Sequence, residues 1–328
     1  MKSRPVRAIH KSTSRKSLRN TKQKTAKTAK TTNMTKTTHR RRMSSLRGGG
    51  NSNHNPPYAT PTVCSPEHRK IYKSGANTCY DKESLVKLAN LWNAANPNQT
   101  IPHTTNKSQL WHSLKTRVKE CKNEWCWLEQ PFAEKLRNDP AYRKTFKPPI
   151  PKGKYQWLAT DDIEFVCDQY EPIVPSFKFL GAYPIDFTRV YYYIFGKFSV
   201  KDYLQQGYSK IGIVFNEDPH DQPGSHWVGL FLNLNKRIAY FFDSYGEVPH
   251  KRIRLWVDSL RPKFRLVHNR TRYQYENSEC GMYTIHFIVR MALGASFKKI
   301  EEDSITDSKI NKKRLQYFNR YKTVDKYW

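Results

Sequence analysis

Residues 282–294 constrain this chain more than any other stretch. They run Met-Tyr-Thr-Ile-His-Phe-Ile-Val-Arg-Met-Ala-Leu-Gly, with no Pro and no glycine before Gly294. The length and apolar content suit a buried helix rather than a strand, with Gly294 placed to end it. Cys280-Gly281 opens the run, so Cys280 falls at a helix N-terminus. The helix dipole and free N–H groups there favour a thiolate. Gly281 adds no side chain, which would let a substrate come close. A nucleophilic cysteine still needs a base and a group to orient that base.

Two upstream segments supply both. His226 begins the apolar strand pattern Trp-Val-Gly-Leu-Phe-Leu, and Asp243 ends a second, Ile-Ala-Tyr-Phe-Phe. The short Asn235-Lys236 connection makes them a hairpin. His226 and Asp243 then lie at the same end of an antiparallel pair, where Asp243 can hold one ring nitrogen and the other can face the thiol. Gln274, a side-chain amide ahead of Cys280, suits an oxyanion donor. His220 is the other candidate base, but it adjoins no strand start and no matching Asp. His286 falls on the buried helix and reads as a packed core histidine. Asp243 could alternatively cap the turn at Ser244-Tyr245-Gly246.

The order His-Trp, Asp-Ser, Gln-x5-Cys-Gly resembles the Ulp/SENP ubiquitin-like-protein proteases and the adenovirus protease. It resembles most closely the thiol proteases of nucleocytoplasmic large DNA viruses, of the African swine fever virus polyprotein protease type. The resemblance covers about residues 155–295. Glu279 departs from the Asp that cellular members usually carry before the cysteine. The resemblance implies a Cys280-His226-Asp243 triad, Gln274 at the oxyanion, and Trp157 and Trp227 roofing a tunnel that passes only Gly-Gly. It implies an α+β, papain-like Ulp-type domain with a central mixed sheet and no cofactor. The implied function is cleavage of viral structural polyproteins after Gly-Gly during virion maturation, in the virion and host cytoplasm, with the nucleus also open. Two alternatives stand beside it: an isopeptidase removing SUMO or ubiquitin-like tags, and a non-enzymatic nucleic-acid-binding virion protein.

Charge divides the chain. Its 328 residues carry a net charge of +30 and only 37% hydrophobic residues. Residues 1–50 hold sixteen Lys/Arg and no acid, the first acid being Glu67. Residues 1–60 therefore read as a disordered basic tail, too poor in apolar side chains to offset ordering entropy. Such a tail attracts nucleic acid without sequence preference, and Arg40-Arg41-Arg42 suits nuclear targeting equally. It ends in Leu46-Arg47-Gly48-Gly49-Gly50, either a plain linker or a self-cleavage site between Gly49 and Gly50.

Residues 61–152 read as a small helical arm. Asp81 caps a stripe of Leu85, Leu88, Ala89 and Trp92, and the Thr105/Asn106 region caps a second of Leu110, Leu114, Val118 and Cys121. A short third helix includes Phe132 and Leu136. Large-DNA-virus enzymes carry such an arm; cellular ones have no obvious counterpart. Six cysteines occur, at 64, 79, 121, 126, 167 and 280. No signal peptide or membrane-length run is present, which points to a reducing compartment with free thiols. Cys121 and Cys126 lack the Cys-x2-Cys knuckle of zinc sites, and buried thiols beside Trp125 and Trp127 are the expectation.

Residues 153–328 form the expected catalytic domain. It starts with a helix at 161 bearing Ile163, Val166 and Tyr170, and continues through strands near 177–187, 211–215, 226–244 and 264–268. A helix near 249–260 intervenes, and an amphipathic helix near 306–320 carries Ile310, Leu315 and Phe318. The mixture without strict alternation suggests α+β.

Overall fold

The computed structural model describes residues 61–73, 77–137, 139–151 and 156–320. The basic tail and the Gly49–Gly50 bond lie outside the described residues. All described residues belong to one compact unit, His54–Trp328.

Two capped helices build the arm. The Asp81 carboxylate accepts the Ser84 N–H at 2.7 Å and starts Lys82–Ala95, which buries Leu85, Leu88, Ala89 and Trp92. Asn106 caps Lys107–Arg117 in the same way. That helix ends at Arg117, so Val118 and Cys121 are buried beyond its end, not along its stripe. Phe132 and Leu136 sit in the successive short turns Pro131–Ala133 and Glu134–Arg137. These side chains share one hydrophobic cluster with Tyr80, Trp125, Trp127 and Phe146.

The expectation of free thiols needs correction here. Cys64 pairs with Cys79 and Cys121 with Cys126 as disulfides. The expectation rested on compartment, which says nothing about proximity. The backbone bridge between Cys64 and Phe146 carries Cys64 into the arm core beside Cys79. Cys167 and Cys280 are the free cysteines. No group of three or more His, Cys, Asp or Glu among the described residues could hold a metal ion. No described helix is long and apolar enough to cross a membrane.

The rest of the described chain is a mixed sheet between helices. Its strands are β1 (Phe177–Pro184), β2 (Lys210–Asn216), β3 (Trp227–Asn233), β4 (Ile238–Phe242) and β5 (Arg265–His268), in the order β1-β2-β3-β4-β5. β1/β2 and β4/β5 are parallel; β2/β3 and β3/β4 are antiparallel. Alternation divides the strand side chains between the two faces. Ile211, Ile213, Phe215, Leu230 and Phe241 pack with Ile253, Trp256 and Val257 of the Lys251–Ser259 helix. Phe177, Val214, Phe231 and Phe242 pack with the Cys280–Ala292 helix and the Thr160–Asp168 helix.

Gly229 decides how close the Cys280–Ala292 helix can come. A Cβ on Gly229 would lie 2.7 Å from Phe287 Cδ1. Bare backbone there lets the helix settle onto β3, where Thr284 Oγ1 donates to the Trp227 carbonyl at 3.0 Å.

Past that helix the chain breaks into pieces: Phe297–Glu302, Asp307–Lys312 and Arg314–Tyr317. The single amphipathic helix expected near 306–320 is interrupted at Lys313, and Leu315 points outward while Phe318 is buried past the helical turns. Arg314 causes the difference. Its guanidinium is buried and donates to the Gln156 carbonyl at 3.0 Å, so a charged side chain turns inward beside the buried Ile310 and Tyr317.

Candidate active site

Strand pairing places the first two residues. β3 and β4 pair with Gly229 opposite Phe242, so His226, just before β3, and Asp243, just after β4, meet at one end of the hairpin. His226 Nε2 and Asp243 Oδ1 are 2.5 Å apart. Both side chains are buried. The other ring nitrogen, Nδ1, is buried and makes no hydrogen bond among the described residues. Burial alone would lower the ring's affinity for a proton. The hydrogen bond to Asp243, then the Cys280 side chain, outweigh it and hold the pKa at about 10.

Asp243 makes both sets of contacts, to the turn and to the imidazole. Oδ1 also accepts the Tyr245 N–H at 3.0 Å and Oδ2 accepts the Glu247 N–H at 2.9 Å, so the carboxylate caps its own turn while holding the imidazole. This is an Asx-type turn used as a clamp.

Cys280 is 2% exposed at the first position of its helix. Gly281 is occupied differently from the expectation. A Cβ there would lie 3.0 Å from Leu158 Cβ, so the missing side chain accommodates Leu158 and not a ligand. Leu158 also accepts the Trp227 indole N–H on its carbonyl at 2.9 Å. Trp227 is buried and Trp157, one residue before Leu158, is 44% exposed. Leu158 thus links both tryptophans to the nucleophile end of the helix.

Gln274 is fully buried, and its amide has defined partners. Oε1 accepts the Ser244 hydroxyl at 2.7 Å, while Nε2 donates to the Glu276 carbonyl at 2.7 Å and lies 3.5 Å from the Tyr245 hydroxyl. The loop from Gln274 to Cys280 is braced from outside. Asp307 Oδ2 accepts the Tyr275 and Glu276 N–H groups at 2.8 and 3.1 Å, and Asp307 Oδ1 accepts the Tyr283 hydroxyl at 3.1 Å. Asn311 donates to the buried Glu279 carboxylate at 2.7 Å.

Several of these residues escaped the sequence reading. Tyr245, Asp307 and Asn311 are neither in the motif nor on an amphipathic stripe. The turn position of Tyr245, two residues after Asp243, was the only available signal. Contrary to the expectation that His220 has no matching carboxylate, its Nδ1 lies 2.7 Å from Asp186 Oδ2. Asp186 also binds Arg189 at 2.8 Å, and these charge-assisted bonds hold its pKa low, near 2, against the opposing effect of burial. His286 is buried with Nδ1 2.6 Å from the Tyr317 hydroxyl.

A thiol on a helix N-terminus beside a histidine–carboxylate pair at a hairpin end has the make-up of a thiol hydrolase site. Residues 209–327 match the Ulp1 protease family, C-terminal catalytic domain. A chain of Acanthamoeba polyphaga mimivirus named as a thiol protease is 31% identical over 283 residues, spanning 78% of this chain and 93% of the relative. The SUMO-1 cysteine protease of African swine fever virus (isolate Tick/South Africa/Pretoriuskop Pr4/1996) is 23% identical over 262 residues, spanning 68% of this chain and 96% of the relative. The crystal structure of the ASFV protease superimposes with a TM-score of 0.55 at 17% identity, over 80% of this chain and 97% of that one. The chain belongs to the Ulp1 protease family and is a cysteine protease acting on protein substrates.

Proposed function

We propose that the chain is an endopeptidase that cuts viral structural polyproteins after Gly-Gly, using Cys280, His226 and Asp243. The buried His226–Asp243 pair carries this reading, because the ring is fixed through Nε2 on its Asp243 side and the Cys280 side chain helps hold the proton on it. Cys280 Sγ attacks the scissile carbonyl as thiolate, with the proton held on His226. The tetrahedral oxyanion takes hydrogen bonds from the Cys280 N–H and the Gln274 amide. Collapse expels the amine, which accepts the His226 proton and leaves a thioester. His226 then removes a proton from water, and hydrolysis frees the acid and the thiol. Asp243 keeps the ring oriented throughout and does not itself take the proton.

Trp157 and Trp227 roof the two residues before the cut, where flat indoles would exclude any Cβ. Residues 1–50 hold the enzyme on nucleic acid in the virion and host cytoplasm, with nuclear entry open to the Arg40-Arg41-Arg42 run. A self-cut between Gly49 and Gly50 would release that tail. The name of the African swine fever virus relatives favours a second reading, removal of SUMO-like tags.

One experiment separates these readings. Wild type and Cys280→Ala are incubated with Gly-Gly-X peptides, Ala-Val-X peptides and ubiquitin-like fusions, and products are read by mass spectrometry. Cleavage of unfolded Gly-Gly peptides by wild type alone supports the endopeptidase. Turnover confined to folded fusions supports the isopeptidase. Equal cleavage of Gly-Gly and Ala-Val peptides removes the tunnel. N-terminal sequencing of the same samples reads the Gly49–Gly50 bond.

A further inference from the structure

Tyr245 meets three polar residues of the site, His226, Asp243 and Gln274. Its ring stacks on the His226 imidazole with centroids 4.4 Å apart and planes 16° from parallel. Its N–H donates to Asp243 Oδ1, the oxygen that pairs with His226 Nε2. Its hydroxyl lies 3.5 Å from Gln274 Nε2. The ring is itself held: the Arg272 guanidinium carbon lies 5.1 Å from its centroid and 5.0 Å from that of Tyr275. Arg272 Nε also donates to the Gln274 carbonyl at 2.8 Å.

A hydrogen bond to Asp243 fixes one atom of the imidazole and leaves the ring free to pivot about that contact. The contact lies in the plane of the ring, so it resists tilting only weakly. A flat group against the ring face supplies the missing constraint. An aromatic face also favours the charged imidazolium over the neutral ring. Resting on the assignment of His226 as the base, we propose that Tyr245, held by Arg272, is a positioning residue that sets the plane of the His226 ring and so keeps Nδ1 on Cys280. The aromatic face does this work, and the hydroxyl is dispensable.

Tyr245→Phe and Tyr245→Leu test the idea with a Gly-Gly peptide or, should none be cut, a ubiquitin-like fusion. Tyr245→Phe keeps the face, and kcat stays within about threefold of wild type. Tyr245→Leu loses the face: kcat falls roughly tenfold to a hundredfold, the range for a small misplacement of reacting groups, with KM within about twofold. Its alkaline limb in the pH–rate profile also moves to lower pH, because the imidazolium has lost its aromatic neighbour. Arg272→Met, at the exposed end of the stack, lowers kcat in the same direction by less and keeps the test available if the leucine variant fails to fold.

Tyr245→Leu with wild-type kcat and an unshifted alkaline limb would overturn the proposal, and so would wild-type kcat in Arg272→Met. Equal damage in the Phe and Leu variants would overturn it too, since the hydroxyl would then be the working group. His226→Ala is the separate control. Activity in that variant removes the base assignment itself, whatever the tyrosine variants do.

Discussion

Asn269 grips the backbone of Asp243 from both directions: its Oδ1 accepts the Asp243 N–H at 2.9 Å and its Nδ2 donates to the Asp243 carbonyl at 2.7 Å. Asn269 is fully buried just past β5, so the register of the parallel β4/β5 pair reaches the candidate triad through one amide. Asn269→Ala should leave the Asp243 N–H unpaired, costing about 1–3 kcal/mol, while the Asp243 carbonyl keeps the Gly246 N–H at 3.0 Å. Activity should drop at least tenfold, measured as kcat/KM beside thermal unfolding. Unchanged kinetics with a lowered Tm would show that Asn269 supports stability alone.

Asp243→Asn should be more damaging than orientation alone implies. The carboxylate accepts from three donors: the His226 ring and the N–H groups of Tyr245 and Glu247. An asparagine offers one acceptor oxygen, so its NH2 must face a donor whichever way it flips. We expect partial activity, below wild type by about a hundredfold, and less still in Asp243→Ala. Each amide–donor clash of roughly 1–3 kcal/mol sets that scale. Single-turnover acylation rates would rank the three proteins.

The high pKa of His226 gives stability a direction with pH. Below about 6.5, its ordinary value, both folded and unfolded chains carry the proton and the contribution is complete. As pH rises from there through about 10, the folded chain keeps a proton the unfolded chain has lost, so the contribution declines and is gone above 10. The Tm advantage of wild type over Asp243→Ala should therefore shrink between pH 6 and pH 10. A constant gap would contradict the assignment of the shift to Asp243.

His286 works in the opposite sense. Burial first, then the Lys313 and Arg290 charges, push its pKa down to about 3. The unfolded chain takes up that proton as pH falls below about 6.5 and the folded chain does not until near 3, so stability is lost on acidification across this window. His286→Leu should lower Tm at pH 8, since the Tyr317 hydroxyl loses its partner, yet flatten the fall in Tm between pH 7 and pH 5. Parallel curves for the two proteins would count against this.

The Cys64–Cys79 bridge closes a loop of sequence separation 15. A loop of that length stabilises by about 3 kcal/mol through the unfolded chain. Cys64→Ser with Cys79→Ser should accordingly expose the arm to limited proteolysis at temperatures where the parent resists. Peptide mapping without reductant would check the pairing first.

Sequence pattern makes the sheet and the meeting of His226 with Asp243 readable. β3, β4 and the Cys280–Ala292 helix carry strong periodicity, and His226 and Asp243 need only a hairpin to meet. The bracing contacts were not readable because they join distant segments through single polar atoms: Asp307 to the Tyr275 and Glu276 amides, Asn311 to Glu279, Asn269 to Asp243. No periodicity marks such residues. Gly281 was misread for a related reason. An absent side chain beside a nucleophile signals space, but only the fold tells whether substrate or Leu158 fills it. The disulfides were missed because compartment was used in place of distance.

The brace from Asp307 and Asn311 also sets an order in time. Every residue of the candidate triad leaves the ribosome before the segment that fixes the Gln274–Cys280 loop. A nascent chain thus carries Cys280, His226 and Asp243 for a while without the contacts that hold the loop in place.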